Sequence, residues 1–133
     1  MSEANKLLIR QIYAARIAND FKTVVAGCAP EVKFHSGGVS TDFATFGARE
    51  SQDRMLEFFS QVSDALKTEY FRLDEVFAEA DRVFALGRYA FTVKATGRRM
   101  ESDWINIITV RDGQIVEWRE HFDTAALVAA NQV

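Results

Sequence analysis

The clearest structural signal in the sequence is TVRDGQIVEWREHFD, residues 109–123. Two runs rich in β-branched and apolar residues flank the dipeptide Asp112-Gly113. An Asp-Gly pair in such a setting is typical of the two-residue turn of a β-hairpin, because both of its residues tolerate positive φ. These residues therefore predict two antiparallel strands joined by a tight turn.

The segments before this hairpin extend it into a larger sheet. Ala80-Asp81 and Thr96-Gly97 interrupt further extended runs, as turn residues do. The sequence therefore predicts four consecutive strands, at 68–79, 82–95, 100–111 and 114–122.

The first half of the chain is mainly helical in pattern, with apolar residues recurring at helical spacing. An extended run, Glu31–His35, follows Pro30 and interrupts this pattern. The predicted helices are 1–20, with Leu8, Ile9, Ile12, Tyr13 and Ile17 on its apolar face, then 21–26, 48–66 and 124–130. Helices followed by a strand meander indicate one α+β domain over residues 1–133, with a largely antiparallel sheet.

The strand VFALGRYAFTV, residues 83–93, is apolar on both of its faces. Period-two alternation puts Phe84, Leu86, Arg88, Ala90 and Thr92 on one face and Val83, Ala85, Tyr89, Phe91 and Val93 on the other. An antiparallel sheet with one wet face would show polar residues on one of these sets. We therefore expect the helices to cover one face and a second copy of the chain to cover the other, as a homodimer.

The composition narrows the possible classes of function. The net charge is −3, and the 16 Lys and Arg residues are scattered, which disfavours a nucleic-acid partner. A single cysteine, Cys28, favours a reducing compartment, and neither a signal peptide nor a membrane span is recognisable, so a cytoplasmic location is expected. There is no phosphate-binding loop and no cluster of metal ligands, so neither a cofactor nor a metal is expected.

The segment SGGVSTDFATFG, residues 36–47, is a loop by composition, yet it contains Phe43 and Phe46. A fully solvated loop has little use for two Phe side chains. We therefore expect this loop to fold over an apolar region.

Arg88 lies among apolar residues in the middle strand, and a buried guanidinium needs a carboxylate or an anionic ligand. Asp103 on the next strand is the natural partner. The pair is either a structural ion pair, with Asp103 at a solvated strand end, or part of a site that orients a substrate oxygen.

The last strand places Trp118 and Phe122 on one face and Arg119, His121 and Asp123 on the other. A carboxylate with a His and an Arg nearby can act as a general acid or base. Alternatively, Asp123 caps the helix 124–130. His35, at the end of the first strand, is either solvated or a further candidate for catalysis.

The chain resembles the SnoaL-like branch of the nuclear transport factor 2-like superfamily, which includes polyketide cyclases, ketosteroid isomerases and limonene epoxide hydrolases. The resemblance rests on Phe34-His35, Gly47-Ala48-Arg49-Glu50, Arg111-Asp112-Gly113-Gln114-Ile115 and the ending Trp118–Thr124. It implies a cone-like, strongly curved antiparallel or mixed sheet that wraps around the N-terminal helices and encloses an apolar pocket.

By this resemblance, Asp123 matches the terminal-strand acid/base of the cyclases and epoxide hydrolases. Arg88 matches the arginine of the hydrolase Asp-Arg-Asp arrangement, whose second Asp falls at Ala90 here. The hydrolase water-binding Tyr and Asn fall near Phe34 and Ser36, and the ketosteroid isomerase base also falls near Ser36. The residues that remain, Asp123, Arg88 and Asp103 with an apolar wall, are similar to a cyclase site.

These observations give three hypotheses. The first is a cofactor-independent acid/base enzyme for a small apolar carbonyl compound, with Asp123, Arg88 and Asp103 as catalytic residues. The second is a non-catalytic binder of a hydrophobic metabolite, and the third is a dimeric interaction domain whose cavity is filled by its own Phe residues. The expected pocket residues are Tyr13, Phe34, His35, Ser36, Phe58, Phe59, Leu86, Ala90, Ile105, Ile107 and His121.

Overall fold

A computed structural model describes residues 2–39 and 41–133; Met1 of the predicted first helix and Ser40 of the predicted loop lie outside the described residues. The helices are α1 (Ser2–Ile17), α2 (Phe21–Ala26), α3 (Gln52–Ala65) and α4 (Thr124–Ala130). The strands are β1 (Cys28–Ser36), β2 (Gly47–Arg49), β3 (Leu66–Glu79), β4 (Arg82–Val93), β5 (Arg99–Arg111) and β6 (Gln114–Phe122).

The strands form one open, mixed sheet of six strands in the order β2-β1-β6-β5-β4-β3. β1 runs parallel to β6, and every other neighbouring pair is antiparallel. The prediction of an α+β fold with a strand meander in its second half is confirmed. The predicted hairpin is also present, since Asp112 and Gly113 adopt φ values of 52° and 74° between the paired residues Arg111 and Gln114.

Polar side chains define where α2 and α3 begin. Asp20 accepts a hydrogen bond from the Thr23 backbone N–H at the start of α2, and Ser51 accepts one from the Arg54 N–H at the start of α3. The predicted start of α3 at residue 48 was wrong, because Gly47–Arg49 pairs with β1 as strand β2. The first helix likewise ends at Ile17 rather than at residue 20.

The helices cover one face of the sheet, which we call the inner face. Tyr13 of α1 stacks on Trp104 of β5 with ring centroids 5.2 Å apart. On β4, the set that contains Tyr89 and Phe91 is buried against the helices, whereas Arg88 and its neighbours at alternate positions lie on the opposite, outer face. The hydrophobic core therefore lies between the helices and the inner face.

The β3 backbone and the Trp104 ring approach β4 closely at one point, where β4 contains Gly87. A Cβ atom there would lie 1.9 Å from the Arg72 carbonyl oxygen and 2.5 Å from the Trp104 ring. The register between β3 and β4 shifts next to this position, between Leu73 and Glu75. Glycine therefore allows the irregular β3 backbone and the Trp104 ring to approach the same strand.

The loop between β1 and β2 folds over the end of the core, as its composition predicts. Phe43 and Phe46 are buried, and the Phe46 ring packs edge-on against Phe122 at 5.9 Å. Gly37 has φ +70°, and any Cβ at this position would contact Phe46 at 2.4 Å. None of the helices in the described part of the chain is long and apolar enough to span a membrane.

Candidate functional site

A small cavity of about 30 Å³ lies between the helices and the inner face of the sheet. That volume accommodates one or two water molecules. Most of its wall is apolar, and three lining residues carry hydroxyl groups and two carry charge. The lining residues are Arg16, Ser36, Thr45, Phe58, Val62, Leu66, Phe71, Tyr89, Phe91, Met100, Glu120, Phe122 and Leu127.

Glu120 is the acidic residue of the cavity wall. It lies between Trp118 and Phe122 on β6, and alternation turns all three side chains toward the inner face. The side chain as a whole is half-buried, and its Oε2 accepts a hydrogen bond of 2.6 Å from the Ser36 hydroxyl. Ser36 is the register partner of Glu120 in the parallel pairing of β1 and β6, so backbone pairing holds the two side chains together.

Burial raises the pKa of the Glu120 carboxyl above its ordinary value. The hydrogen bond from Ser36 and the positive charge of Arg16 oppose this effect, but desolvation is the larger contribution. A carboxylate whose pKa is raised is a stronger base than an ordinary glutamate, and its protonated form can return the proton. Glu120 therefore has the chemistry of a general acid or base.

Arg16 is the basic residue of the cavity wall and is only 7% exposed. Its guanidinium lies over three aromatic rings, at 5.3 Å from the Phe21 centroid, 5.4 Å from Phe59 and 4.9 Å from Phe71. Each such contact contributes about 0.5–2 kcal/mol. Desolvation lowers the Arg16 pKa, and the negative charge of Glu120 opposes this. The aromatic rings therefore stabilise a cation that burial would otherwise disfavour.

The two buried tyrosines contribute neutral hydroxyl groups. Burial and the charge of Glu120 raise the pKa values of both Tyr13 and Tyr89 well above the usual range, so both stay protonated. Tyr89 lines the cavity. Tyr13 is buried in the core, and with the Asn106 amide oriented so that its oxygen accepts, the Tyr13 hydroxyl and the Trp118 Nε1–H (3.2 Å) both donate to that oxygen. This network lies in the core next to Glu120, because Asn106 is the register partner of Glu120.

The residues predicted to be catalytic do not line the cavity. Arg88 and Asp103 form the predicted ion pair at 2.8 Å, but they do so on the outer face, where Asp103 is 86% exposed. Asp123 accepts a hydrogen bond of 3.0 Å from the Ala126 backbone N–H and caps α4. The structure thus gives Asp123 the capping role, which was the alternative interpretation.

The predicted pocket residues divide between the two faces. Ser36 and Phe58 line the cavity, and Tyr13, Phe34 and Phe59 are buried in the core around it. The other predicted pocket residues lie at strand positions that alternate with the inward-facing ones, on the outer face: His35, Leu86, Ala90, Ile105, Ile107 and His121.

Sequence reasoning missed Arg16 and Glu120. The signal for Glu120 was present, because a carboxylate occupies an inward position between two aromatic residues of the last strand. Arg16 had no comparable signal. The helical pattern predicted that the neighbouring Ile17 faces inward, whereas Ile17 is 44% exposed and Arg16 takes the buried position.

Metal and thiol chemistry find little support in the described residues. Among residues 2–39 and 41–133, no three His, Cys, Asp or Glu side chains are grouped as a metal site would require. Cys28 is buried, and this burial raises the pKa of its thiol to about 12. The thiol is therefore protonated and unreactive near neutral pH.

The fold belongs to a known class of proteins. Residues 9–118 match the SnoaL-like domain, and the chain belongs to that family. The chain has no significant match among curated proteins.

Solved structures share the fold over nearly the whole chain. An NTF2-like protein from Burkholderia xenovorans LB400 is 26% identical, with 99% of this chain and 98% of that chain covered and a TM-score of 0.87. TerC, co-crystallised with polyporic acid, is 21% identical over 96% and 97% of the two chains, with a TM-score of 0.82. An LEH-like epoxide hydrolase from M. tuberculosis is 17% identical over 97% and 90%, with a TM-score of 0.74.

Proposed function

We propose that this protein binds a small, largely apolar carbonyl compound in the inner cavity and that Glu120 transfers a proton to or from it. The observation that carries this proposal is the Glu120 carboxyl, which faces an apolar cavity, is hydrogen-bonded to Ser36 and has a raised pKa. A carboxyl group positioned in this way typically contributes about 10²–10⁴ in rate.

The proposed chemistry is enolisation. Glu120 in its carboxylate form removes a hydrogen from the carbon next to the carbonyl, and the proton then returns to the same or another carbon. No metal or cofactor is needed for this step, because the proton moves between substrate and one carboxyl group. The fold supports the proposal in general terms, since similar structures include an epoxide hydrolase and a protein co-crystallised with an organic compound.

The size of the cavity limits the substrate. The cavity has a volume of only about 30 Å³, and aromatic side chains, including Phe58 and Phe71, form part of its wall. A ligand with more than a few atoms therefore requires these rings to turn aside. A flat or narrow molecule fits this requirement best.

Hydrogen exchange with solvent tests the proposal. The protein is incubated in D₂O with cyclohexanone or phenylacetone, and loss of the α-hydrogen signal is followed by NMR. We expect the protein to accelerate exchange and Glu120→Gln to reduce this acceleration about 10²–10⁴-fold. Asp123→Asn is the matched control, since it alters a nearby carboxylate that caps a helix, and it should retain activity.

The outcomes separate the candidate functions. Exchange that survives in Glu120→Gln would contradict the role of Glu120, and exchange lost in a folded Asp123→Asn protein would restore the family-based assignment. Ketone binding without exchange, measured by tryptophan fluorescence, would favour a non-catalytic binder. Absence of both would favour the interaction domain.

We further propose that the outer face is a homodimer interface. Phe77 and Phe84 stack at 5.1 Å there, and Phe84 is the register partner of Ile107. Phe77 is 49% exposed, which leaves a large apolar side chain unprotected from water in the single chain. Arg88 and Asp103 border this apolar patch with opposite charges, so a two-fold arrangement can pair each with its counterpart in a second copy.

A further inference from the structure

Arg16 is the part of the cavity that proton transfer by Glu120 does not use. Its side chain is buried, yet it makes no hydrogen bond to another of the described residues. Its interactions with Glu120 and the two buried tyrosines are electrostatic only. Among those residues, no carboxylate oxygen lies within 4.0 Å of an Arg16 nitrogen, which is the distance limit for an ion pair. The guanidinium also borders a depression on the protein surface, so its N–H donors are available to a ligand that enters there.

We propose that Arg16 binds the carboxylate of the ligand, so that the preferred substrate is a small apolar acid that also carries the reacting carbonyl group. This inference rests on the proposed function and specifies the substrate class for the same cavity. The ring centroids of Phe21, Phe59 and Phe71 lie 4.9–5.4 Å from the guanidinium carbon of Arg16. These contacts act on the charge of the guanidinium, so they do not replace hydrogen-bond acceptors for its N–H groups.

The position of Arg16 gives the ligand an orientation. Arg16, Val62 and Leu66 line both the inner cavity and a depression on the surface, which also contains Asn19 and Thr68. Arg16 therefore stands between solvent and cavity. A carboxylate bound there stays close to water, while the apolar part of the ligand points inward.

A carboxylate fits this position better than a phosphate group does. Arg16 is the sole basic residue among the described residues that line the cavity. One guanidinium fork matches the two oxygens of a planar carboxylate, whereas a doubly charged phosphate requires further donors. The nearby negative charge of Glu120 also penalises a dianion more than a monoanion.

Benzoate and benzamide test this inference, because they have almost the same shape and differ in charge. Their binding to the wild-type protein is measured by calorimetry, with inorganic phosphate as a third probe. We expect benzoate to bind about 10- to 100-fold more tightly than benzamide, as a charge-assisted hydrogen bond in a buried site would give. Equal binding of the two, or binding of phosphate as tight as that of benzoate, would overturn the proposal.

Three variants locate the effect. Arg16→Met keeps an apolar side chain against the aromatic rings and should abolish the preference for benzoate, whereas Arg10→Met changes an exposed arginine of the same helix and should retain it. Arg16→Lys keeps the charge without the fork and should give an intermediate preference. A full preference in a folded Arg16→Met protein would refute the assignment.

The ketone exchange experiment distinguishes this inference from the proposed function. If ketones exchange through Glu120 while benzoate shows no preference, the Arg16 inference alone fails. If benzoate binds through Arg16 but no carbonyl compound exchanges its α-hydrogen, proton transfer fails and carboxylate binding stands.

Discussion

The Ser36 hydroxyl donates a hydrogen bond of 2.6 Å to Oε2 of Glu120, and the two residues are register partners of the parallel strands β1 and β6. The donor and the acceptor therefore come from segments 84 residues apart that only the sheet brings together. The hydrogen bond favours the ionised carboxylate, while burial favours the neutral acid. These two effects oppose each other in setting the pKa of Glu120, and the charge of Arg16 acts in the same direction as the hydrogen bond.

Ser36→Ala should raise the pKa of Glu120 further, because it removes a donor to the ionised form while burial remains. At neutral pH it should also lower the free energy of unfolding by about 1–3 kcal/mol, since a buried carboxylate loses its partner. The pKa is measured from the ¹³Cδ chemical shift of Glu120 during a pH titration. An unchanged or lowered pKa would show that this hydrogen bond does not stabilise the carboxylate.

Ser102→Ala is the control for this variant. The Ser102 hydroxyl is also part-buried and hydrogen-bonded, since it donates to the Asp103 carbonyl oxygen at 2.6 Å and accepts from the Asp123 N–H at 2.9 Å. It makes no hydrogen bond to Glu120. Ser102→Ala should therefore lower stability without moving the Glu120 titration.

Glu120 should make the folded state less stable as the pH rises. Because its folded pKa is raised, the unfolded chain releases this proton first, and the folded state binds more protons between the ordinary glutamate pKa and the raised one. The free energy of unfolding should fall across that window and then level off. Below the ordinary glutamate pKa, both states are protonated and the penalty is absent.

The comparison with Glu120→Gln isolates this effect, because all other carboxylates titrate in both proteins. Chemical denaturation at a series of pH values should show that the variant gains stability relative to wild type as the pH rises through the window. A stability difference that does not change with pH would contradict the raised pKa.

The strand meander and the hairpin could be predicted from local patterns alone. Asp112-Gly113 fixes a turn through its own backbone preferences, and the strands on either side alternate clearly. The start of α3 could not be predicted so well. Gly47–Arg49 looked like the beginning of a helix, but pairing with β1, a tertiary interaction, made it a strand.

The candidate site was harder to predict because the two faces of the sheet have similar hydrophobicity. Alternation separates Leu86 and Ala90 from Tyr89 and Phe91, but it does not say which set the helices cover. That choice depends on packing between segments distant in sequence, such as Tyr13 on Trp104. Polarity does not decide between the faces either, since Glu120 lies on the inner face and Arg88 on the outer one.

Asp123→Ala should lower the stability of the protein without removing the proposed proton transfer. The side chain caps α4 through the Ala126 N–H, and the loss of such a cap typically costs about 0.5–2 kcal/mol. Thermal unfolding measures the first effect, and α-hydrogen exchange measures the second. A folded variant with no exchange activity would assign Asp123 a role in the reaction.

The outer face should hold two copies of the chain together. Ile107→Asp places a carboxylate between Phe84 and Arg119, its neighbours in register on the adjacent strands, and should convert a dimer into a monomer because a second copy would have to bury that charge. Sedimentation equilibrium measures the mass. Leu56→Asp is the matched control, since Leu56 is an apolar residue exposed on α3, away from the sheet, and should leave the dimer intact. A wild-type protein that sediments as a monomer at high concentration would contradict the proposed interface, and so would a dimer that survives in Ile107→Asp.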